Sequence, residues 1–119
     1  MDNDVEALFD QGINKFNIDA YDEAIRIFKK VLEMNPDHPD ALYYRALARA
    51  NKGDDNQAIA DFTKAVEKDP FDTDSLIGRG DVWLSQGNVK RALADFKKAL
   101  DMDPDNPNYQ KFVDDLEEK

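Results

Sequence analysis

Few side chains in this sequence have the types and spacing to do chemistry. The single histidine, His38, lies in the link Asp37-His38-Pro39, where a lone histidine is expected to be solvated rather than catalytic or metal-binding. The chain has no cysteine, which excludes thiolate nucleophiles, thiolate metal sites and disulfides, and no second histidine is present to complete a zinc site. The run Asp101-Met102-Asp103-Pro104-Asp105-Asn106 superficially suggests a calcium loop. It lacks the mid-loop glycine and the closing glutamate of that motif, so a helix end and a turn are expected there. Gly78-Arg79-Gly80 does not form a phosphate-binding pattern; it falls inside a helical one, where small residues allow close packing. Aspartate and glutamate number 26 in 119 residues, so neighbouring carboxylates arise everywhere and say nothing about acid–base catalysis. No enzyme activity, metal or cofactor is expected.

The formal charge of −10 opposes the basic footprint that nucleic acid or an anionic membrane surface requires. The acidic excess is spread along the chain, which makes it first a solubility device and second a lure for basic partners. The start, Met1-Asp2-Asn3-Asp4, has neither the basic nor the apolar stretch of a signal peptide, and no segment approaches the ~18 apolar residues of a membrane span. A cytoplasmic location without membrane insertion is the expectation. Apolar residues at 41% and charged residues at 35% suit one globular, helix-leaning domain.

The elements that must position any site come from an internal repeat. Ala24, Ala58 and Ala92 stand 34 residues apart, as do Phe28, Phe62 and Phe96, and Pro36, Pro70 and Pro104. Leu8, Leu42 and Leu76 keep the same spacing, and so do Lys30, Lys64 and Lys98. The units are 5–38, 39–72 and 73–106. In the third, Asp74 to Gln86 is expected to be helical, Gly87-Asn88 to end that helix, and Val89 to Met102 to form a second one before Pro104. Ala92, Leu93, Phe96, Ala99 and Leu100 recur at helical spacing and give that second helix an apolar stripe. The short break requires an antiparallel pair. Residues 107–119, with Pro107 at the first position and Tyr109, Phe112, Val113 and Leu116 on one face, predict a terminal capping helix. At the other end, Asn3 is expected to cap the first helix, with Glu6 three residues on.

These columns resemble the tetratricopeptide repeat. The small residue at position 8 is Gly12, Ala46 or Gly80; alanine recurs at position 20, phenylalanine at 24 and proline at 32. Ala65 and Ala99 match position 27, Gly53 and Gly87 match position 15, and Tyr21 matches position 17. The chain departs from the pattern with Asp19 in place of glycine, Lys15 and Arg49 in place of an aromatic, and Asp55 and Val89 at another aromatic position. The resemblance covers residues 5–106. It implies an all-α, right-handed solenoid of three antiparallel hairpins, whose concave groove, lined by the first helix of each repeat, binds a protein or peptide.

In that frame, positions 2, 5, 6, 9, 12 and 13 of each first helix face the groove. Position 2 is Glu6, Asp40 and Asp74; position 5 is Phe9, Tyr43 and Ile77; position 9 is Ile13, Leu47 and Asp81. Position 12 is Phe16, Ala50 and Leu84, and position 6 is Asp10, Tyr44 and Gly78. An apolar floor with an acidic edge implies an amphipathic partner segment carrying basic residues. The position-5 residues serve either ligand contact or packing, and a first-turn carboxylate also stabilises its own helix. Relatives that clamp the carboxylates of chaperone tails place cations or asparagines where this chain has Phe9, Ile13, Tyr44, Asp74 and Gly78, so that role is not expected. The alternative is self-association into a homo-oligomer through the apolar, uncapped first repeat at Phe9, Ile13 and Phe16.

Overall fold

The structure is a computed structural model that describes residues 2–118, with side chains from residue 4 onward. Among these it contains seven α-helices: α1 (Asp2–Asn17), α2 (Tyr21–Met34), α3 (Pro39–Lys52), α4 (Asp55–Lys68), α5 (Thr73–Ser85), α6 (Val89–Met102) and α7 (Pro107–Glu117). Consecutive helices pack as antiparallel hairpins, and each second helix also packs on the first helix of the next pair. The result is an all-α, right-handed solenoid of three hairpins and a terminal helix, 48 Å long and 26 × 21 Å across.

Local chemistry sets where the helices start and stop. Asp72, Asn88 and Asn106 each accept a backbone N–H of the helix they precede, which satisfies donors that have no partner inside the helix. Pro39 and Pro107 open α3 and α7, where a missing N–H costs nothing. Each hairpin turn uses the same closing bond: the N–H of Ala20, Asp54 or Asn88 donates to the carbonyl of Lys15, Arg49 or Trp83. The turn needs one residue of positive φ just before that donor, and Gly53 (91°) and Gly87 (79°) supply it. In the first hairpin Asp19 takes the same conformation at 62°. A left-handed aspartate is strained, so Asp19→Gly is expected to raise stability by about 0.5–1 kcal/mol, measured as a higher urea midpoint with unchanged slope. At the N-terminus α1 begins at Asp2, so Asn3 stands within the helix instead of capping it. The other small shift is in α5, which runs one residue earlier at each end than Asp74 to Gln86.

The core is a row of phenylalanines laid on glycine or alanine. Phe28, Phe62 and Phe96 are buried, each on a second helix. A methyl group at Gly12 would stand 2.5 Å from the Phe28 ring, and one at Gly80 would stand 2.5 Å from the Phe96 ring. Helices can approach this closely only because those positions are small. Gly78 adds a second case, since a methyl there would lie 2.6 Å from Phe62, across the junction between the second and third hairpins.

Candidate functional site

The curvature of the stack identifies the inner surface. Helix α3 touches both α1 and α5, whereas α2, α4 and α6 do not touch one another. First helices therefore lie closer together than second helices, and the concave face is theirs.

The residues expected to line that face divide into two groups. Towards the N-terminus the rings are largely used for packing. Tyr44 lies 6.0 Å from Phe9, 5.6 Å from Phe16 and 6.3 Å from Phe28, ring centre to ring centre. Phe9, Ile13, Phe16 and Tyr44 are half-buried around Ala24, Phe28, Val31 and Ala41. Further along, the surface opens. Leu47 and Ala50 are half-buried, while Leu84 is 39% exposed and is the one groove position among the exposed large apolar residues. Ile77 packs towards the buried Leu76 and Ala99. Asp40, Asp74 and Asp81 are exposed, and Glu6 turns towards His38.

His38 corrects the sequence expectation of a solvated histidine. Because α3 starts at Pro39, His38 occupies the cap position, and its ring turns inward, where it is buried. Its Nδ1 accepts the Ala41 N–H at 3.1 Å, which leaves the ring proton on Nε2 to be donated to Glu6 Oε1 at 3.3 Å. The ring also stacks on Phe9, with centres 4.9 Å apart. His38 is thus a structural tie between the first two hairpins, and Glu6 is part of it.

Charge is distributed unevenly around the first helices. Every cation on α1, α3 and α5 is in an ion pair: Lys15 with Glu23, Arg45 and Arg49 with Asp61, Lys52 with Asp22 and Asp54, and Arg79 with Asp95. Among the described residues Asp10, Asp40, Asp74 and Asp81 have no cationic partner. Burial, reinforced by the carboxylates of Asp74, Asp72 and Asp81, pushes the Tyr43 hydroxyl up to about 12. Tyr43 therefore stays protonated at neutral pH, as a hydrogen-bond donor in a negative field.

Asp81 is the least compensated of these acids. Asp81 is exposed on one side but loses part of its water to the surrounding walls of the groove, which raises its carboxyl above the usual aspartate range. A group whose folded-state pKa is raised opposes folding once ionised. Its contribution falls as pH rises between the ordinary and the raised value, and the full penalty applies above that interval. Asp81→Asn removes the penalty. The variant is expected to be more stable than the parent at neutral pH, with the two converging under acid, as read by urea denaturation across pH.

Sequence reasoning missed the ion pairs inside the hairpins. Arg45 grips Asp61 through two bonds of 2.9 and 2.8 Å, and Arg79 grips Asp95 through bonds of 2.9 and 2.7 Å. The signal was present, because Arg45 and Arg79, like Asp61 and Asp95, are 34 residues apart. Arg49, an apparent departure from an aromatic column, joins the Asp61 pair at 2.8 Å.

A family model described as tetratricopeptide repeat matches residues 9–73 and 56–107. Among solved structures, the first TPR of Spaghetti (RPAP3), bound to the HSP90 peptide SRMEEVD, is 23% identical with a TM-score of 0.89. That match covers 96% of this chain and 90% of the other. The Yersinia enterocolitica type III secretion chaperone SycD, in complex with a peptide of the translocator YopD, is 13% identical with a TM-score of 0.91, over 97% and 93% of the two chains. The Arabidopsis OM64 TPR domain is 24% identical with a TM-score of 0.89, over 96% and 94%. At these identities the likeness is one of fold. No curated protein matches the chain in sequence.

Proposed function

The chain belongs to the tetratricopeptide-repeat family, and on that premise we propose that it is an interaction module whose concave groove takes a partner segment that is apolar on one face and basic on the other. The observation that carries this reading is the uneven pairing of charge. Every cation on the first helices is paired with a carboxylate, the three arginines inside the hairpins and Lys15 and Lys52 at the surface, while Asp10, Asp40, Asp74 and Asp81 are left without cations among the described residues. A basic segment is attracted to such a surface, and an acidic one is repelled.

The same argument separates this chain from the structural relative that holds an HSP90 peptide ending in Glu-Glu-Val-Asp. Clamping an acidic tail takes cations and asparagines where this groove carries Phe9, Ile13, Tyr44, Asp74 and Gly78. The partner class is therefore a basic amphipathic helix or extended peptide. Self-association through the first repeat is the alternative. It is weakened because Phe9, Ile13 and Phe16 already pack around Phe28.

Calorimetric titration with three synthetic peptides tests the proposal: an amphipathic leucine–lysine peptide, its leucine–glutamate counterpart, and SRMEEVD. The lysine peptide is expected to bind, with affinity that falls as salt is added, and the other two are not. Binding of SRMEEVD, or no preference between lysine and glutamate, would overturn it. Sedimentation velocity on the same samples reads out the alternative, since a self-associating chain would exceed 13.6 kDa as concentration rises.

A further inference from the structure

Helix α7 packs along α6 and is tied to α5 near its start, where the Tyr109 hydroxyl donates to Thr73 Oγ1 at 3.3 Å. Beyond that tie the two helices leave a cleft of about 380 Å³, walled by Leu84, Phe96, Phe112 and Leu116, with Asp81 and Asp115 at its lip. Asp81 also borders a second hollow of about 250 Å³ against α3, beside Leu47, Ala50 and Gly78. Gly78 is what keeps this part of the groove open. At the equivalent positions Tyr44 lays a ring over Phe28 at 6.3 Å and Phe112 lays one over Phe96 at 5.3 Å, but α5 has no side chain to do so.

The two carboxylates at the cleft are not equivalent. Asp115 is held by Lys111 at 3.3 Å on its own helix. Asp81 has neither an ion pair nor a hydrogen bond among the described residues. It occupies position 9, where the other repeats carry Ile13 and Leu47, so an acid interrupts an otherwise apolar column. A cation with a long aliphatic stem is the complement: the stem lies on the apolar wall and the head reaches the carboxylate.

We propose that this cleft is the subsite that fixes the partner's register. It accepts one large apolar side chain between Leu84, Phe112 and Leu116, and the adjacent lysine or arginine of the same segment pairs with Asp81. The inference rests on the groove reading above and narrows it to named contacts.

The test is fluorescence anisotropy of the labelled leucine–lysine peptide against the parent chain, Asp81→Asn, Asp74→Asn and Leu84→Ala, with circular dichroism to confirm that each variant folds. Asp81→Asn is expected to weaken binding by about tenfold or more, and Asp74→Asn, a groove acid that borders neither hollow, by about twofold at most. Replacing the peptide's lysines one at a time by norleucine is expected to reveal a single position whose loss equals that of Asp81→Asn. Combining the two changes should add nothing further. Leu84→Ala is expected to weaken binding without changing the preference for lysine. If the parent prefers the lysine peptide to the glutamate peptide but Asp81→Asn behaves like Asp74→Asn, the subsite is wrong and the groove reading stands. If the parent shows no such preference, both fall.

Discussion

Phe62→Ala is expected to cost about 3–5 kcal/mol of unfolding free energy, a large share of the ~5–15 kcal/mol that holds a domain of this size together. The ring is fully buried at the centre of the solenoid. It packs 6.0 Å from the Tyr43 ring and against the backbone at Gly78, so it joins its own hairpin and the next one. Truncation removes the apolar burial and leaves a void that neither neighbour can fill, because the helices on both sides are fixed by their own contacts. In a solenoid each repeat is stabilised by its neighbours, so the loss falls on two interfaces at once. Urea denaturation followed by circular dichroism is the direct measure. A shift below about 1 kcal/mol would mean that the row of phenylalanines is not the core.

Asp61→Ala is the second large effect. Asp61 accepts from both Arg45 and Arg49, and its side chain is 6% exposed while theirs are 16% and 19% exposed. Removing the carboxylate leaves two guanidinium groups close together, short of water and without a counter-charge. A fully buried pair broken in this way loses about 3–5 kcal/mol; with the arginines partly wet, about 3 kcal/mol is expected. Asp95→Ala should cost less. It strands only Arg79, which keeps its bond to Thr63 Oγ1 at 3.1 Å. Replacing Asp61, Arg45 and Arg49 together with leucine or methionine is expected to be near neutral, because desolvation of the ions offsets most of their attraction. If the single change costs no more than the triple one, the arginines find other partners and the pair is dispensable.

The parts of this fold that could be read from sequence are those fixed by local demands. Glycine at positive φ, proline beyond a helix end and a small residue beneath a ring each leave a mark at one position, and a period of 34 residues repeats it. Asp19 shows the rule under strain, since the turn forces its conformation although the residue resists it. Relations across the hairpin were harder to read. Burial of His38 depends on Glu6 and Phe9, at the opposite end of the same repeat, and nothing in Asp37-His38-Pro39 announces them. The aromatic positions 9, 16 and 44 could be assigned to the inner helices, but only the assembled core shows them interlocked around Phe28. The special place of Asp81 required knowing that every nearby cation was committed elsewhere and that α7 leaves a cleft beside it.

Stability and recognition pull in opposite directions at Asp81. Its carboxyl is held above the usual range by loss of water, so the chain gives up stability to keep a charge in the groove. In the proposed binding mode a basic partner would relieve that penalty, and this is the physical reason for placing recognition there.

The most direct test of the central claim is amide chemical-shift mapping of the isotope-labelled chain during titration with the leucine–lysine peptide. The expected result is a continuous track of shifts along the inner helices, through Tyr43, Leu47, Asp81 and Leu84 and into α7, with the outward faces of α2 and α4 unmoved. Shifts confined to those outer faces, or general line broadening that grows with protein concentration in the absence of peptide, would contradict it.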